Sequence, residues 1–179
     1  MLATVAAMRV VARMIVLTLA VGVQKEMDTI VREATALGVS AIVPLGTSHV
    51  ALPARARGSA AAVARWARVA VASAKQCGRA TVPEIRAVAS LEVVLQAWRD
   101  GPIVMCVEPG RDRSPLEGGA GPRPSRALVL VGPEGGWTDA EVTRVLHAGG
   151  RLMHLGPRTL RADLAPTVLL SALWTSWGW

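Results

Sequence analysis

The residues best suited to chemistry lie between positions 128 and 165, where two glycine-containing turns each follow an apolar segment. Residues 132–136, with the sequence Gly-Pro-Glu-Gly-Gly, come directly after the apolar run 128–131. Residues 155–158, with the sequence Leu-Gly-Pro-Arg, follow a second segment that is typical of a strand. Glycine lets the main chain approach a ligand closely, and ligands usually bind at the carboxyl ends of strands in open α/β sheets. The two turns therefore predict a pocket for a small molecule.

Two charged residues follow the second turn. Arg161 could stabilise negative charge on a reacting group, because a guanidinium donates in a fixed bidentate geometry. Asp163 could accept a proton, either directly or through water. The alternative is a structural ion pair at the turn that precedes a helix. The residue types alone favour the ion pair.

Several common sites are excluded because their residues are missing. Residues 132–136 lack the Gly-Lys-[Ser/Thr] ending of a P-loop and the glycine spacing of a dinucleotide-binding turn. The nucleophile elbow of a serine hydrolase, Gly-x-Ser-x-Gly, is also missing. The three histidines lack zinc-ligand spacing, so no metal site is expected at His49, His147 or His154.

The composition indicates one domain with an anionic partner. The chain has 179 residues, and its net charge of +7 comes mostly from arginine, since Lys25 and Lys75 are the only lysines. This charge favours RNA over a membrane surface as the partner, although a GC-rich genome would also enrich arginine. Cys77 and Cys106 are isolated, and we interpret both as small core residues of a cytoplasmic protein.

Apolar segments alternate with helical patterns along the chain. Residues 14–21 superficially resemble a signal peptide but are too short to span a bilayer, and we interpret them as a buried parallel strand. The alternation predicts an α/β domain with a mostly parallel sheet. Further strands are expected at 39–43, 103–107, 128–131 and 152–155, and helices at 28–37, 59–76, 91–98, from Thr138 onward and at 165–174.

Local signals set the expected boundaries of these elements. Asp28 and Ser90 are suited to be N-caps, and Thr138 with Glu141 forms the T-x-x-E pattern of a capping box. Pro44 is expected to end the second strand. Residues 109–126 are rich in glycine, proline and charge, which predicts a mobile surface loop between two strands of one sheet.

Basic residues recur at near-helical intervals along the predicted helix 59–76 and just beyond it. Arg65, Arg68, Lys75 and Arg79 could line a phosphate path. The alternative is a solvated face with Trp66 buried behind it, and the charge pattern does not decide between the two. At the end of the chain, Trp174, Trp177 and Trp179 could stack on bases, but we favour packing at a dimer interface.

The motifs at residues 130–138 and 155–165 resemble the signature of the RsmE family, the 16S ribosomal RNA uridine-N3 methyltransferases of the SPOUT superfamily. Upstream, residues 25–28 with 34–39 and residues 76–79 with 82–83 resemble further family motifs in the same order. The likeness covers about residues 15–175. Because the two C-terminal motifs are specific together, we favour a catalytic role for Arg161 and Asp163 over a structural ion pair.

The resemblance implies an α/β SPOUT domain at residues 15–179, with helices on both faces of the sheet and a deep C-terminal trefoil knot. It also implies a cytoplasmic homodimer that binds S-adenosylmethionine and acts on ribosomal RNA or the small ribosomal subunit. Arg161, Asp163 and Arg79 are the implied catalytic residues, and Arg65, Arg68, Lys75 and Arg79 the implied RNA contacts. The implied cofactor-binding residues are Val131, Gly132, Pro133, Glu134, Gly135, Gly136, Leu155, Gly156, Pro157, Arg158, Leu160 and Arg161.

The implied reaction fits these residue types. N3 of uracil carries a proton, and removing it leaves negative charge on the ring oxygens. Arg161 could stabilise that charge, Asp163 could take the proton, and Arg79 could hold a phosphate or the base.

The chain also departs from the family pattern. Asp163 replaces the usual glutamate, Leu164 the usual threonine, His49 an arginine and Ser73 a glutamate, whereas residues 132–136 are unchanged. Family members carry an N-terminal PUA-type barrel, for which the residual segment 1–14 is too short. Two alternatives therefore remain open, a non-catalytic knotted RNA-binding module and a SPOUT methyltransferase with another RNA target.

Overall fold

A computed structural model describes residues 15–49, 59–110 and 122–178, and the elements in these ranges alternate between strand and helix. The strands are β1 Val16–Gly22, β2 Ala41–Gly46, β3 Glu84–Ile85, β4 Ala89–Ser90, β5 Ile103–Cys106, β6 Arg126–Val131 and β7 Arg151–Met153. The helices are α1 Met27–Ala36, α2 Ala60–Gln76, α3 Leu91–Ala97, α4 Asp139–His147 and α5 Ala165–Trp177.

The strands form one sheet in the order β3-β2-β1-β6-β5-β7, and β4 pairs with the end of β2. Every pairing between the described strands is parallel. The central strands are buried on both faces, as the near-continuous apolar runs of β1 and β6 predict. The predicted α/β fold with a mostly parallel sheet is confirmed.

Helices cover both faces of the sheet, as predicted. On one face, α1, α2 and α5 pack onto the sheet through a core that includes Ile30, Trp66 and Leu169. On the other face, α3 and α4 contribute Leu91 and Val145 to a second core. Because helices cover both faces of the sheet, a ligand site is expected at its carboxyl edge, where the loops lie.

The first helix begins one residue earlier than predicted. Glu26, rather than Asp28, is the N-cap, and its backbone carbonyl accepts the first two bonds of α1. Asp28 lies in the first turn, where the helix dipole stabilises a carboxylate, and it forms an ion pair with Arg65. The predicted capping role of Asp28 is therefore wrong.

The second strand continues through Pro44 to Gly46, so the prediction that Pro44 ends it is also wrong. Proline removes one donor from the ladder, but the pairing resumes at Leu45, whose carbonyl accepts a 2.9 Å bond from the Val23 amide. The burial of β2 on both faces outweighs this one missing donor.

The ends of the chain's later elements also differ from the prediction. Helix α5 extends to Trp177, which is only 4% exposed and belongs to the core, whereas Trp174 is 47% exposed. Arg126, expected in the surface loop, is the first residue of β6. Residues 111–121 of that loop, residues 50–58, the segment 1–14 and Trp179 lie outside the described residues.

The predicted capping box at Thr138 and Glu141 is present, and Glu141 also accepts a hydrogen bond from outside its own helix. One carboxylate oxygen of Glu141 accepts bonds from the Thr138 amide at 2.8 Å and from its hydroxyl at 2.9 Å. The other oxygen accepts a 3.1 Å bond from the Ser48 amide. Burial alone would raise the pKa of Glu141, but the bonds from Thr138 and Ser48 outweigh it and hold that pKa below its ordinary value. Glu141 thus fastens the start of α4 to the loop that follows β2.

Replacing Glu141 with glutamine is expected to lower the free energy of unfolding by about 1–3 kcal/mol at neutral pH, because an amide nitrogen would face a hydrogen-bond donor. Since the folded-state pKa is lowered, the carboxylate stabilises the fold above its unfolded pKa of about 4.3, and this contribution is lost as the pH falls through the folded value. Urea unfolding between about pH 7 and pH 3 measures both effects. Glu92→Gln, an exposed first-turn change on α3, is the matched control, and an equal loss in both variants would contradict the prediction.

Candidate cofactor cleft and adjoining cavity

A cleft opens at the carboxyl ends of β5, β6 and β7. Its two long walls are the turn after β6 and the segment between β7 and α5, as the two glycine-containing turns predicted. The lining residues are Cys106, Val107, Glu108, Pro109, Val131, Gly132, Pro133, Glu134, Gly136, Trp137, Leu155, Arg158, Thr159, Leu160, Ala162 and Ala165.

The turn 132–136 packs so tightly that side chains are excluded at several positions. A Cβ atom on Gly22, at the end of β1, would lie 2.5 Å from the Pro133 backbone nitrogen. Gly136 has φ +67°, and a Cβ there would collide with the Glu108 carboxylate. The indole of Trp137 donates a 2.9 Å bond to the Cys106 carbonyl and so joins the ends of β5 and β6. The turn is therefore held closely between β1, Glu108 and the indole of Trp137.

His49 supports the same turn from outside the cleft. Its Nδ1 lies 2.9 Å from the Gly135 carbonyl oxygen. A Cβ on Gly135 would come within 2.7 Å of the His49 Cβ. The residue found where the family pattern has arginine thus contacts the backbone of the predicted cofactor turn.

Arg161 and Asp163 form the bidentate pair that their spacing allows. Arg161 Nε donates to Asp163 Oδ1 at 3.0 Å, and Arg161 Nη2 donates to Oδ2 at 3.1 Å. The hydrogen bonding to Asp163 raises the pKa of the Arg161 guanidinium, and the charges of Asp163, Glu26 and Glu134 add to this effect. Both oxygens of Asp163 are thereby engaged. The pair borders a second cavity beside the cleft, lined by Glu134, Thr159, Leu160, Arg161, Ala162 and Asp163.

Gln24 holds the segment between the two cavities. Its side-chain amide donates a 3.1 Å bond to the Ala162 carbonyl across 138 residues of sequence. Ala162 lines both the cleft and the second cavity. This hydrogen bond therefore connects the end of β1 to Ala162, which lies between the cleft and the second cavity.

Most of the predicted cofactor-binding residues line the cleft, but four do not. Gly135, Gly156 and Pro157 lie in the two turns without lining it, and Arg161 lines the second cavity. Sequence reasoning missed the contribution of β5, whose carboxyl end supplies Cys106 and Glu108. The predicted strand at 103–107 was the available signal, because β5 pairs with both β6 and β7.

Arg79 lies outside both cavities within one chain, so its catalytic role stays a prediction. Its Nη1 donates to the carbonyls of Thr35 at 2.6 Å and Val39 at 3.0 Å. These carbonyls lie where α1 ends and β2 begins, at the amino edge of the sheet, and burial lowers the pKa of the guanidinium. Arg79 thus links the end of α1 to the start of β2, at the edge of the sheet opposite the cleft.

The other predicted RNA contacts lie on α2 as expected. Arg65 pairs with Asp28, whereas Arg68 and Lys75 are exposed and Trp66 is buried. The solvated-face interpretation thus fits the helix, and an RNA contact by these side chains stays a prediction. Ser73 is buried and donates to the Arg32 carbonyl at 2.7 Å, so it joins α2 to α1.

The two cysteines differ in their exposure to solvent, and this difference allows a test of the cleft. Cys77 is exposed, contrary to the prediction that it is a core residue, and Cys106 is half-buried in the cleft. Burial, helped by the nearby charge of Glu108, raises the pKa of the Cys106 thiol to about 12.

Alkylation with iodoacetamide is expected to modify Cys77 and to leave Cys106 unmodified on the same time scale. At about pH 8 only on the order of one Cys106 thiol in ten thousand is a thiolate, the reactive form. Peptide mass spectrometry of the folded chain measures both sites, and the guanidinium-unfolded chain, in which both should react, is the control. Equal modification in the folded chain would show that Cys106 is not shielded as described.

Within the described ranges, no group of three or more His, Cys, Asp or Glu side chains is placed to hold a metal ion. Among the helices in the described part of the chain, none has the length and apolarity needed to cross a membrane.

A parallel α/β sheet whose carboxyl edge bears a cleft lined by a glycine-containing turn, beside a cavity with an arginine–carboxylate pair, is the arrangement of an α/β domain that binds ligands at its strand ends. The family is given by sequence comparison. Residues 11–174 match the family described as RNA methyltransferase domain, and the chain belongs to this family.

Curated relatives support the same assignment. The Ribosomal RNA small subunit methyltransferase E of Bacillus subtilis is 30% identical over 154 residues, which cover 83% of this chain and 60% of that protein. The Synechocystis protein of the same name is 32% identical over 163 residues, which cover 87% of this chain and 52% of that protein. The predicted resemblance to the RsmE family is confirmed, and the chain spans about half to three fifths of the length of these relatives.

Solved structures agree with the fold. A Ribosomal RNA small subunit methyltransferase E from Neisseria gonorrhoeae, bound to S-adenosyl methionine, superposes with a TM-score of 0.79 at 28% identity over 91% of this chain and 67% of that chain. A methyltransferase from Legionella pneumophila in complex with SAM has the same TM-score at 24% identity and supports the fold alone.

Proposed function

We propose that this chain transfers the methyl group of S-adenosylmethionine to N3 of a uridine in small-subunit ribosomal RNA. The observation that carries this proposal is the cleft between the turn 132–136 and the segment 155–162, with the Arg161 cavity beside it. The curated relatives that the chain matches are ribosomal RNA methyltransferases by name, and one solved structure of the same fold is a complex with S-adenosyl methionine.

The residues of the cleft fit S-adenosylmethionine. Its adenine is flat and its methionine part is slender, and both suit a cleft whose lining includes Gly132 and Gly136, where no side chain covers the main chain. Its cationic end fits a cleft that also carries the carboxylates Glu108 and Glu134. When bound, the cofactor supplies an electrophilic methyl group.

The residues of the second cavity fit the uracil. Arg161 retains donors that are not used by Asp163, and they can stabilise the negative charge that develops on the ring oxygens when N3 loses its proton. Asp163, with both oxygens bonded to Arg161, positions that guanidinium. The neighbouring cavities hold the two reactants side by side, which removes much of the entropic barrier to a reaction between them.

The first measurement is a calorimetric titration of the purified chain with S-adenosylmethionine, followed by transfer of a labelled methyl group to in-vitro transcribed small-subunit ribosomal RNA. We expect saturable binding, its loss in Gly135→Arg, and N3-methyluridine in the digested product. Binding of the cofactor without transfer would favour the alternative, a non-catalytic RNA-binding module. A different methylated nucleotide would favour another RNA target.

Two structural expectations belong to this proposal. We propose that the chain acts as a homodimer and that the segment between β6 and α5 is threaded as a trefoil knot. The long-range bond from Gln24 to Ala162 is consistent with such threading, because it fastens the segment before α5 against β1. Analytical ultracentrifugation measures the oligomeric state directly.

A further inference from the structure

The methyl group must reach uracil N3 from the same side that the proton leaves. The electron pair of the N3–H bond lies in the plane of the ring, and this pair must form the bond to the methyl carbon. In the proposed function the methyl carbon comes from the cleft and the uracil occupies the second cavity, so the two meet where the cavities adjoin. Because a proton acceptor must lie within hydrogen-bond reach of its proton, we expect the acceptor at this junction.

Within the described part of the chain, four residues line both the cleft and the second cavity, namely Glu134, Thr159, Leu160 and Ala162. The side chains of Leu160 and Ala162 have no polar atoms, and Thr159 offers only a neutral hydroxyl. Glu134 is the carboxylate of this set, whereas Asp163 lines the second cavity but not the cleft. Glu134 is therefore the side chain at the junction that is suited to accept a proton.

The backbone on both sides of Glu134 is held by hydrogen bonds. The amide of Gly136 donates a 2.9 Å bond to the Pro133 carbonyl, which closes the turn that has Glu134 at its tip. The following carbonyl, of Gly135, lies 2.9 Å from His49 Nδ1. The side chain of Glu134 is exposed to solvent. It can thus meet a base that enters the second cavity from outside, and it can afterwards return a proton to water.

The Glu134 carboxylate also complements the Arg161 guanidinium across the second cavity, which both residues line. No described residue forms a hydrogen bond or an ion pair with this carboxylate, whereas both oxygens of Asp163 are bonded to Arg161, at 3.0 and 3.1 Å. Arg161 retains further donors. The imide edge of uracil is an N–H group between two carbonyls, so it requires an acceptor, which Glu134 provides, and donors, which Arg161 provides.

We propose that the Glu134 carboxylate accepts the N3 proton of the target uridine. This inference rests on the proposed function. The N3–H bond breaks and its proton moves to Glu134, while the N3 electron pair forms the bond to the methyl carbon. The bond between that carbon and sulfur breaks with its electrons going to sulfur, which yields N3-methyluridine and S-adenosylhomocysteine, and Glu134 then releases its proton to solvent. Arg161 stabilises the charge on the ring oxygens, and Asp163 is a positioning residue.

Binding measurements test the position of Glu134 without any transfer. A carboxylate at the junction lies beside the positive sulfur of S-adenosylmethionine, and S-adenosylhomocysteine lacks that charge. By calorimetry, Glu134→Gln is therefore expected to weaken binding of S-adenosylmethionine about three- to fivefold, as for an exposed ion pair, and to leave binding of S-adenosylhomocysteine unchanged. An unchanged ratio of the two affinities would place the carboxylate away from the methyl group and would overturn the proposal.

Single-turnover transfer at saturating cofactor, to in-vitro transcribed small-subunit ribosomal RNA, tests the role in the reaction. Glu134→Gln keeps the size of the side chain and removes the acceptor, so we expect the rate to fall about 10²- to 10⁴-fold. The variant can use only uracil that has already lost its proton to solvent, so its rate should rise about tenfold per pH unit between about pH 6.5 and 8.5, whereas the wild-type rate should stay nearly level. Glu92→Gln, the same change at an exposed first-turn position of α3, should behave like the wild type.

Transcripts made with 5-fluorouridine provide a further readout, because fluorine at C5 withdraws electrons and makes the N3 proton more acidic. On this substrate the deficit of Glu134→Gln should shrink about tenfold or more. Transfer by Glu134→Gln within threefold of the wild type would overturn the role of Glu134 alone. An equal loss at every pH and on both transcripts would show that Glu134 acts through the fold, and would also overturn it. A wild-type chain that binds both ligands and transfers nothing would overturn the proposed function, and the role of Glu134 with it.

Discussion

Replacing Gly22 with alanine is expected to weaken binding of S-adenosylmethionine about tenfold or more, although residue 22 is not in the glycine-rich turn itself. The added Cβ would lie 2.5 Å from the Pro133 backbone nitrogen and 2.7 Å from its Cδ. Neither atom can rotate away, so the turn 132–136, which lines the cleft, must shift. Overpacking of this kind costs about 1–3 kcal/mol, and the shift occurs where the ligand meets main chain.

Gly46→Ala is the matched control for this experiment. Gly46 ends β2 as Gly22 ends β1, and its nearest neighbour to an added Cβ is a Val88 methyl at 3.9 Å, an ordinary contact. We expect this variant to bind the cofactor like the wild type in the same calorimetric titration. Equal affinities of the two variants, with both chains folded by circular dichroism, would show that the turn 132–136 does not depend on the close approach of β1.

Replacing Arg161 with alanine is expected to lower the rate of methyl transfer about 10²- to 10³-fold, as the loss of a donor to developing negative charge does in other enzymes. Affinity for S-adenosylmethionine should change little, because Arg161 borders the second cavity rather than the cleft. Arg161→Lys keeps the charge but loses the planar fork that holds Asp163, so only a part of the rate should return. Single-turnover kinetics at saturating cofactor separates these effects.

Arg86→Ala is the matched control for Arg161. Arg86 also pairs with a carboxylate two residues away in sequence, Glu84, at 2.9 Å, and it is also exposed. Surface pairs of this kind contribute little to stability, so the control should transfer at the wild-type rate. A similar loss in both variants would mean that the Arg161 pair acts through the fold rather than on the substrate.

The sequence predicted the parts of this site that depend on local patterns. The turns 132–136 and 155–158 line the cleft because strand ends and glycine determine their position locally. The capping box at Thr138 was also visible, because both of its partners lie within one helical turn.

The parts that depend on strand order could not be predicted in this way. Nothing near Glu108 shows that β5 lies between β6 and β7, so its place in the cleft requires the sheet. The charge pattern of α2 does not reveal that this helix runs away from the carboxyl edge, so the position of Arg79 at the amino edge could not be predicted.

The position of β1 in the sheet has a consequence for synthesis on the ribosome. β1 lies between β2, which follows it closely in sequence, and β6, which begins only at Arg126. While residues 15–110 have emerged, one edge of β1 lacks its partner and is exposed to pairing with other chains. Contacts of such long sequence separation form slowly. We therefore expect folding to be completed only after β6 has been translated, with the nascent chain prone to aggregation until then.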